Sequence, residues 1–396
     1  MPAPLPVLVV HPSAELYGSD KSLLDFVRLR PAHMALTVVL PEDGPLVPAL
    51  RACGAEVMVG EVCKLQRVML SPAGLWRLLR AAAASLRFMR GLHRQRQFQR
   101  VYNNTVTVFG GALFAHRHGL PHVSHVSHVR EIVVGSPALS LLFCKLVRSL
   151  SQTAVCNSNQ TRAWFAEGGG EPRQAACCLA VWDGVDVATQ TVDRDAARRS
   201  LGAAPGEVLF VLVGRINAWK GQQLLVQAFA AITRQRVAGQ GSLRLAIVGS
   251  AFAGQQHLQA AVAASGCAEQ IVVPPFCSDV EAVWAAADVV EVPSTDPEPF
   301  GKVAVDAMAF ARPVTAAAHG GLFEIVQLGV TGLLVPPRDA PALTDAMTAL
   351  AADPSLRPAM GQAGLARQRA VFSVQGYADR VGAVLDAAAA APQVRA

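Results

Sequence analysis

The stretch VVEVPSTDPEPFGKVAVDAMAFARPVTAAA, residues 289–318, begins and ends with short strand-like runs and carries an apolar helical segment between them. Proline and glycine residues separate the first run from the helical segment, as is typical of a loop. A strand, a helix and a second strand joined by such short connections form a βαβ unit, in which the two strands are parallel. The stretch therefore predicts an α/β fold built on a parallel sheet.

The same alternation extends over the whole chain and restarts once. The strand candidates are, in the first half, PVLVV, ALTVVL, AEVMVG, RVYNN, HVSHV and TAVCNS, and in the second half VLFVLVG, LRLAIVG, IVVPPF, VVEVPS, PVTAAA and GLLVPP. A polar, Gly/Pro-punctuated segment, VWDGVDVATQTVDRDAARRSLGAAPGE, separates the halves. We predict two Rossmann-like doubly wound domains, residues 1–190 and 191–372, that face one another across a cleft, and a C-terminal helix, residues 373–396, that packs back on the first domain.

The net charge of +6 is concentrated in the first half of the chain. Residues 1–190 hold 19 Lys and Arg against 12 Asp and Glu, whereas residues 191–396 hold 16 against 17. Much of the excess lies in one amphipathic segment, whose arginines are Arg77, Arg80, Arg87, Arg90, Arg94 and Arg96. Such a helix suits an anionic membrane surface, and the alternative is a solvated helix with its apolar side in the core. Nucleic acid is not expected, because no aromatic-and-basic recognition module is present.

Several other classes of protein do not fit the sequence. No apolar run reaches the length of about 20 residues that a membrane span needs, and MPAPLPVLVVH lacks the basic start of a signal peptide. We therefore expect a cytoplasmic protein, with peripheral contact at the inner face of the cell membrane. Neither half carries Gly-x-Gly-x-x-Gly after its first strand or a P-loop lysine, which argues against nicotinamide oxidoreductases and P-loop NTPases. The histidines of PHVSHVSHVREI alternate faces in a strand, so they are poorly placed to bind one metal ion together, and we expect no metal. We expect no other cofactor either.

The quoted stretch has the chemistry of an anion site. We predict a helix that starts near Phe300, with Gly301 in its first turn, so that backbone amides and the helix dipole face an anion. Glu298 precedes the helix, and Asp306 can reach back because helical side chains tilt toward the N-terminus. A nucleotide sugar matches this spacing, with its sugar near Glu298, its diphosphate on the amides and its ribose diol near Asp306. Read alone, the two acids could equally be surface residues.

A second segment supplies cations. In VLFVLVGRINAWKGQQLLVQAF, Arg215 follows the strand and Lys220 precedes the next helix, so both lie at the carboxyl edge of the second sheet. Two cations at that edge can neutralise a diphosphate leaving group without a metal ion.

These segments resemble a known family. GRINAWKG, AIVGS, AAADVVEVPSTDPEPFGKVAVDAMAFARPV and GGLFEIVQLGVTGLLVPPRD follow one another as in the donor domain of the family 4 retaining glycosyltransferases, which have the GT-B fold. The resemblance covers nearly all of the second half. It implies a transferase that moves a sugar from a nucleotide-diphosphate sugar to a glycan or lipid-linked acceptor, as in the assembly of bacterial surface polysaccharides or glycolipids.

The resemblance also implies roles for single residues. Arg215 and Lys220 bind the diphosphate, Glu298 faces the donor sugar, and Asp306 stands where the family has a glutamate that contacts the ribose. The remaining residues of the implied donor site are Gly18, Ser19, Gly214, Pro299, Phe300, Gly301, Lys302 and Val303. His128, in HVSHVREI, matches the histidine that the family places beside the reacting sugar, so the implied catalytic set is Glu298, His128, Arg215 and Lys220.

The implied reaction takes place on one face of the sugar. The diphosphate departs, the acceptor hydroxyl enters from the same side, and its proton passes to the departing phosphate. The alternatives are a PLP-dependent glycan phosphorylase, an inverting GT-B enzyme or sugar-nucleotide epimerase, and a non-catalytic sugar-nucleotide-binding or scaffold protein. The phosphorylase is disfavoured because the chain is short and has no lysine-bearing segment for that cofactor.

Overall fold

The computed structural model describes residues 4–16, 18–65, 72–126, 137–167, 178–187, 192–235, 241–250, 254–275 and 279–388. Its contacts divide the chain into two compact units. The first unit comprises residues 1–184 together with 374–396, and the second comprises residues 185–373.

The strands follow the predicted runs, except for one at residues 178–180 that no run predicted. They are β1 Leu5–Val10, β2 Met34–Leu40, β3 Glu56–Val59, β4 Arg100–Asn103, β5 His122–Val126, β6 Thr153–Cys156 and β7 Cys178–Ala180 in the first unit, and β8 Val208–Val213, β9 Leu243–Val248, β10 Ile271–Val272, β11 Val289–Val292, β12 Val314–Ala317 and β13 Gly332–Val335 in the second.

The helices alternate with these strands. They are α1 Gly18–Leu29, α2 Leu46–Ala52, α3 Pro72–Arg96, α4 Phe109–His118, α5 Pro137–Leu150, α6 Asn159–Glu167, α7 Arg194–Ser200, α8 Gln222–Gln235, α9 Gln255–Ala264, α10 Val280–Ala286, α11 Lys302–Ala309, α12 Leu322–Ile325, α13 Ala340–Ala352, α14 Leu356–Val371 and α15 Val374–Ala387.

The described residues of the first unit form a seven-stranded sheet in the order β3-β2-β1-β4-β5-β6-β7, with all paired strands parallel. Side chains of β1 alternate between two cores. Val7 and Val9 pack with α1, α2 and α15, whereas Leu8 and Val10 pack with α3 and α4. Helices therefore cover both faces of the sheet, which is the doubly wound arrangement.

The C-terminal helix α15 belongs to the first unit. It packs against α1 and buries Tyr377, Val381 and Leu385 in the same core as Val7 and Val9. The predicted return of this helix to the first domain is confirmed.

The described residues of the second unit form a six-stranded parallel sheet in the order β10-β9-β8-β11-β12-β13. One core holds Phe210 and Leu212 of β8 with apolar residues of α8, α9 and α13. On the other side α11 packs against α14 and α7 against α10. The strand order reverses between β8 and β11, so the loops that follow these two strands stand at a topological switch point, where α/β sheets bind ligands.

The structure also places the start of α11 two residues later than predicted. The helix begins at Lys302, and Gly301 precedes it with a left-handed backbone, φ 106°. This backbone angle favours glycine, and a Cβ on Gly301 would lie 2.5 Å from Leu322 Cδ2, so that side chain would have to shift. Among the described helices, none has the length and apolar character that crossing a membrane requires.

Candidate functional site

Loops at the carboxyl edge of the second sheet lie in direct contact. The loop after β8, residues 214–221, meets the loop after β11, residues 293–301. A Cβ on Gly221 would lie 2.0 Å from the carbonyl oxygen of Pro293, and the amide of Thr295 donates to the carbonyl of Trp219 at 2.7 Å. The conformation of each loop therefore fixes the other.

Lys220 and Glu298 form an ion pair across these two loops. Lys220 Nζ lies 2.5 Å from Glu298 Oε1, and the Ser294 hydroxyl donates to the same oxygen at 2.7 Å. The Glu298 residue is 5% exposed, and the Lys220 side chain is 17% exposed. The pair is thus largely shielded from water, which makes its electrostatic interaction stronger than that of a surface pair.

The backbone around Glu298 is fixed by the loop after β12. The amide of Gly321 donates to the Glu298 carbonyl at 2.8 Å, and His319 Nε2 donates to the Ser294 carbonyl at 2.8 Å. A Cβ on Gly320 would lie 2.3 Å from the Glu298 carbonyl oxygen, so this close approach requires glycine. These contacts hold the carboxylate directly before the N-terminus of α11.

Helix α11 directs its N-terminus toward the same edge. Phe300 is buried and packs edge-on against Phe372, with ring centroids 6.0 Å apart, and this contact anchors the entry into the helix. Lys302, Val303 and Asp306 are half-buried on the first turns of the helix. The aligned peptide dipoles there favour a negatively charged ligand.

The other cation of the prediction, Arg215, lies in the same loop as Lys220 and is exposed. Its carbonyl accepts a hydrogen bond from Gln222 Nε2 at 3.0 Å, which fixes the backbone and leaves the guanidinium at the surface. Gly214 lies beside the aliphatic part of Lys220, where a Cβ would stand 3.8 Å from its Cδ and Cε atoms. The structure thus brings Gly214, Arg215, Lys220, Pro299 and the start of α11 to one edge of one sheet.

Sequence reasoning did not single out Ser294 or Trp219. Both stand inside quoted motifs, Ser294 at the end of VVEVPS and Trp219 next to Lys220 in GRINAWKG. Only their contacts with Glu298 and Lys220 identify them.

In the first unit, a buried hydrogen-bond network holds the segment that contains Gly18 and Ser19. Asp20 Oδ1 lies 2.6 Å from His11 Nε2, and Asn104 Nδ2 lies 3.1 Å from His11 Nδ1 and donates to the Ser19 carbonyl at 3.1 Å. An amide nitrogen can only donate, so His11 accepts at Nδ1 and donates from Nε2 to the carboxylate. The tautomer of His11 is therefore set by its neighbours.

The histidines of β5 are structural. His122 Nδ1 donates to the Leu150 carbonyl at 2.8 Å, and burial lowers the pKa of this ring to about 4. His125 Nδ1 lies 2.8 Å from the Tyr102 hydroxyl, and burial lowers its pKa as well. Both rings are neutral at physiological pH. His128 lies outside the described residues, as do Arg130 and Glu131. Within the described ranges, no three His, Cys, Asp or Glu side chains are grouped so that they could hold a metal ion.

Comparison with known proteins gives three kinds of match. The profile of the family described as Glycosyl transferases group 1 matches residues 193–367. The D-inositol 3-phosphate glycosyltransferase of Pseudarthrobacter chlorophenolicus is 40% identical over 188 residues, 46% of this chain and 44% of that protein. The protein of the same name from Geodermatophilus obscurus is 34% identical over 252 residues, 62% of this chain and 54% of that protein. The chain thus spans about half the length of these curated relatives.

Among solved structures, HepE of Anabaena in complex with UDP and glucose has a TM-score of 0.80 at 23% identity, over 97% of this chain and 100% of that chain. This likeness extends over both units and confirms the predicted fold class.

Proposed function

We propose that this chain is a retaining glycosyltransferase that uses a nucleotide-diphosphate sugar, since residues 193–367 match the model of the glycosyl transferases group 1 family. The family is the one that the sequence motifs predicted. The observation that carries the proposal is the shielded Lys220–Glu298 pair at the N-terminus of α11. It combines a cation for the leaving diphosphate with an acid for the sugar at one edge of a doubly wound sheet.

In the proposed complex, the diphosphate of the donor binds to Lys220, Arg215 and the first amides of α11. Glu298 hydrogen-bonds to hydroxyls of the sugar, and Asp306 to the ribose diol. The complex of HepE with UDP and glucose supports UDP as the first nucleotide to test. Residues 191–372 then constitute the donor-binding domain and residues 1–190 the acceptor-binding domain, which also contributes Gly18 and Ser19 to the donor site and His128 beside the reacting sugar.

The chemistry of the proposed reaction needs little from acid–base groups. The bond between the anomeric carbon and the diphosphate oxygen breaks, the acceptor oxygen bonds to the same carbon from the same side, and the acceptor proton passes to the departing diphosphate. Lys220 and the helix dipole stabilise the negative charge that develops on the leaving oxygen. Such stabilisation is greatest where water is excluded, and the low exposure of Glu298 and Lys220 supports it.

The acceptor is proposed to be a glycan or a lipid-linked glycan at the inner face of a membrane, in surface polysaccharide or glycolipid assembly. The support is helix α3, which has six arginines and no acidic residue. It exposes 72% of Trp76 and 55% of Leu79, next to Arg77 and Arg80. Helix α5 has no acidic residue either, and it exposes 63% of Leu142. Exposed apolar side chains among cations suit the interface of an anionic bilayer.

The deciding experiment measures the hydrolysis of a panel of UDP-, GDP- and ADP-sugars by the purified chain, with the anomer of the product read by NMR. Slow hydrolysis with retention supports the proposal. Inversion would favour an inverting GT-B enzyme, and saturable nucleotide binding without turnover, with or without an added acceptor, would favour a sugar-nucleotide-binding or scaffold protein.

A further inference from the structure

The ammonium of Lys220 has a second partner besides Glu298. Its Nζ lies 4.4 Å from the centroid of the Trp219 ring, within the range of a cation–π interaction. Trp219, the preceding residue in the chain, therefore contacts the ammonium with its ring, and Glu298 Oε1 contacts it at 2.5 Å.

The backbone of Trp219 is held from two directions. The side-chain oxygen of Asn217 accepts from the amides of Trp219 and Lys220, at 3.2 and 3.1 Å. The carbonyl of Trp219 accepts from the amide of Thr295 at 2.7 Å and lies 3.3 Å from the hydroxyl of the same residue. The Trp219 backbone is thus fixed between its own loop and the loop that carries Glu298.

An aromatic ring has a property that suits a site for an anionic ligand. A carboxylate beside Lys220 attracts the ammonium but repels an incoming diphosphate, as Glu298 must do in part. The face of an indole attracts the ammonium through its quadrupole and carries no net charge. Trp219 can therefore hold the cation in place both when it pairs with Glu298 and when it pairs with a diphosphate.

We propose that Trp219 is a positioning residue for the donor, which keeps the Lys220 ammonium where the diphosphate binds. This inference rests on the proposed function, and it assigns a role to a residue that stands outside the predicted donor site. Trp219 acts through Lys220 and does not itself need to contact the nucleotide.

The test is a double-mutant cycle on nucleotide affinity. UDP, or whichever of UDP, GDP and ADP the parent binds most tightly, is titrated by calorimetry into the parent and into Trp219→Leu, Lys220→Met and the double variant. Trp219→Leu should weaken binding about 2- to 30-fold, the range of a cation–π contact that is partly removed from water. In the Lys220→Met background the same change should have no further effect. Trp219→Phe, which keeps an aromatic face, should restore most of the affinity.

The outcomes separate this inference from the proposed function. If Trp219→Leu weakens binding equally with and without Lys220, the ring acts on the nucleotide directly or through the fold, and the inference is wrong. If Trp219→Leu binds like the parent, the inference is also wrong, while the proposed function stands. If the parent neither binds a nucleoside diphosphate nor hydrolyses any of the nucleotide sugars, the proposed function fails, and the inference fails with it. Thermal unfolding of each variant identifies any loss that comes from misfolding.

Discussion

Glu291 lies in β11, an otherwise apolar strand, and its side chain is fully buried. Among the described residues, neither of its carboxyl oxygens has a hydrogen-bond partner. Burial raises the pKa of Glu291 from its ordinary value of 4.5 to about 8. The acid is therefore protonated in the folded protein at neutral pH.

The raised pKa makes the stability of the second unit depend on pH. Between about pH 4.5 and 8 the folded state keeps a proton on Glu291 that the unfolded state has lost. Each pH unit in this window lowers the contribution of Glu291 to the unfolding free energy by about 1.36 kcal/mol, so this contribution is greatest below pH 4.5 and falls as the pH rises toward 8. From pH 5.5 to 7.5 this loss amounts to roughly 2 to 3 kcal/mol.

Glu291→Gln removes the titrating group and keeps nearly the same size. We expect the stability of the variant relative to the parent to rise by roughly 2 to 3 kcal/mol between pH 5.5 and 7.5, because contributions that do not depend on pH cancel in that comparison. The unfolding free energy is measured in urea, with hydrogen exchange of the peptides that cover β11 as the readout, so that the second unit is observed by itself. Glu281→Gln, which changes an exposed glutamate on α10, is the matched control and should give a difference that does not vary with pH. A flat difference for Glu291→Gln as well would refute the idea that a neutral buried acid lies in this strand.

Three further predictions concern the ligand sites. Lys220→Ala should lower turnover about a hundredfold or more, because it removes a cation that stabilises the leaving group. EDTA should leave the parent's activity intact. Loss of activity in EDTA with recovery in Mn²⁺ would contradict the metal-free chemistry. Glu298→Gln should bind UDP more tightly than the parent, because it frees Lys220 from its carboxylate, and yet transfer sugar more slowly. Asp306→Ala should lower the affinity for UDP and for the full donor alike, by about 10- to 150-fold. Equal UDP affinities of the parent and both variants, measured by calorimetry, would contradict both assignments. Binding to vesicles that contain acidic phospholipid should fall steeply as the salt concentration rises. Replacing Arg87, Arg90 and Arg94 together by Glu should abolish this binding without a change in melting temperature. Salt-independent binding would indicate that helix α3 has only a structural role.

Much of the fold could be predicted because parallel strands in an α/β protein are buried on both faces. Such strands appear as short apolar runs that the helices interrupt, and each predicted run lies in or beside an observed strand. The start of α11 was less predictable. We predicted a helix from about Phe300, yet Gly301 has a left-handed backbone conformation, and the helix begins at Lys302.

The sequence by itself determined the resemblance to a glycosyltransferase family, the two parallel sheets and the residue types at the carboxyl edge of the second sheet, because local periodicity and motif spacing are properties of the chain. Tertiary structure alone decided which side chains meet. Lys220 and Glu298 are 78 residues apart and form one ion pair because β8 and β11 are neighbours in the sheet. The packing around β11, the neighbour of β8 in the sheet, also buries the Glu291 side chain completely. No local pattern encodes these contacts, because they depend on the order of strands that are distant in sequence.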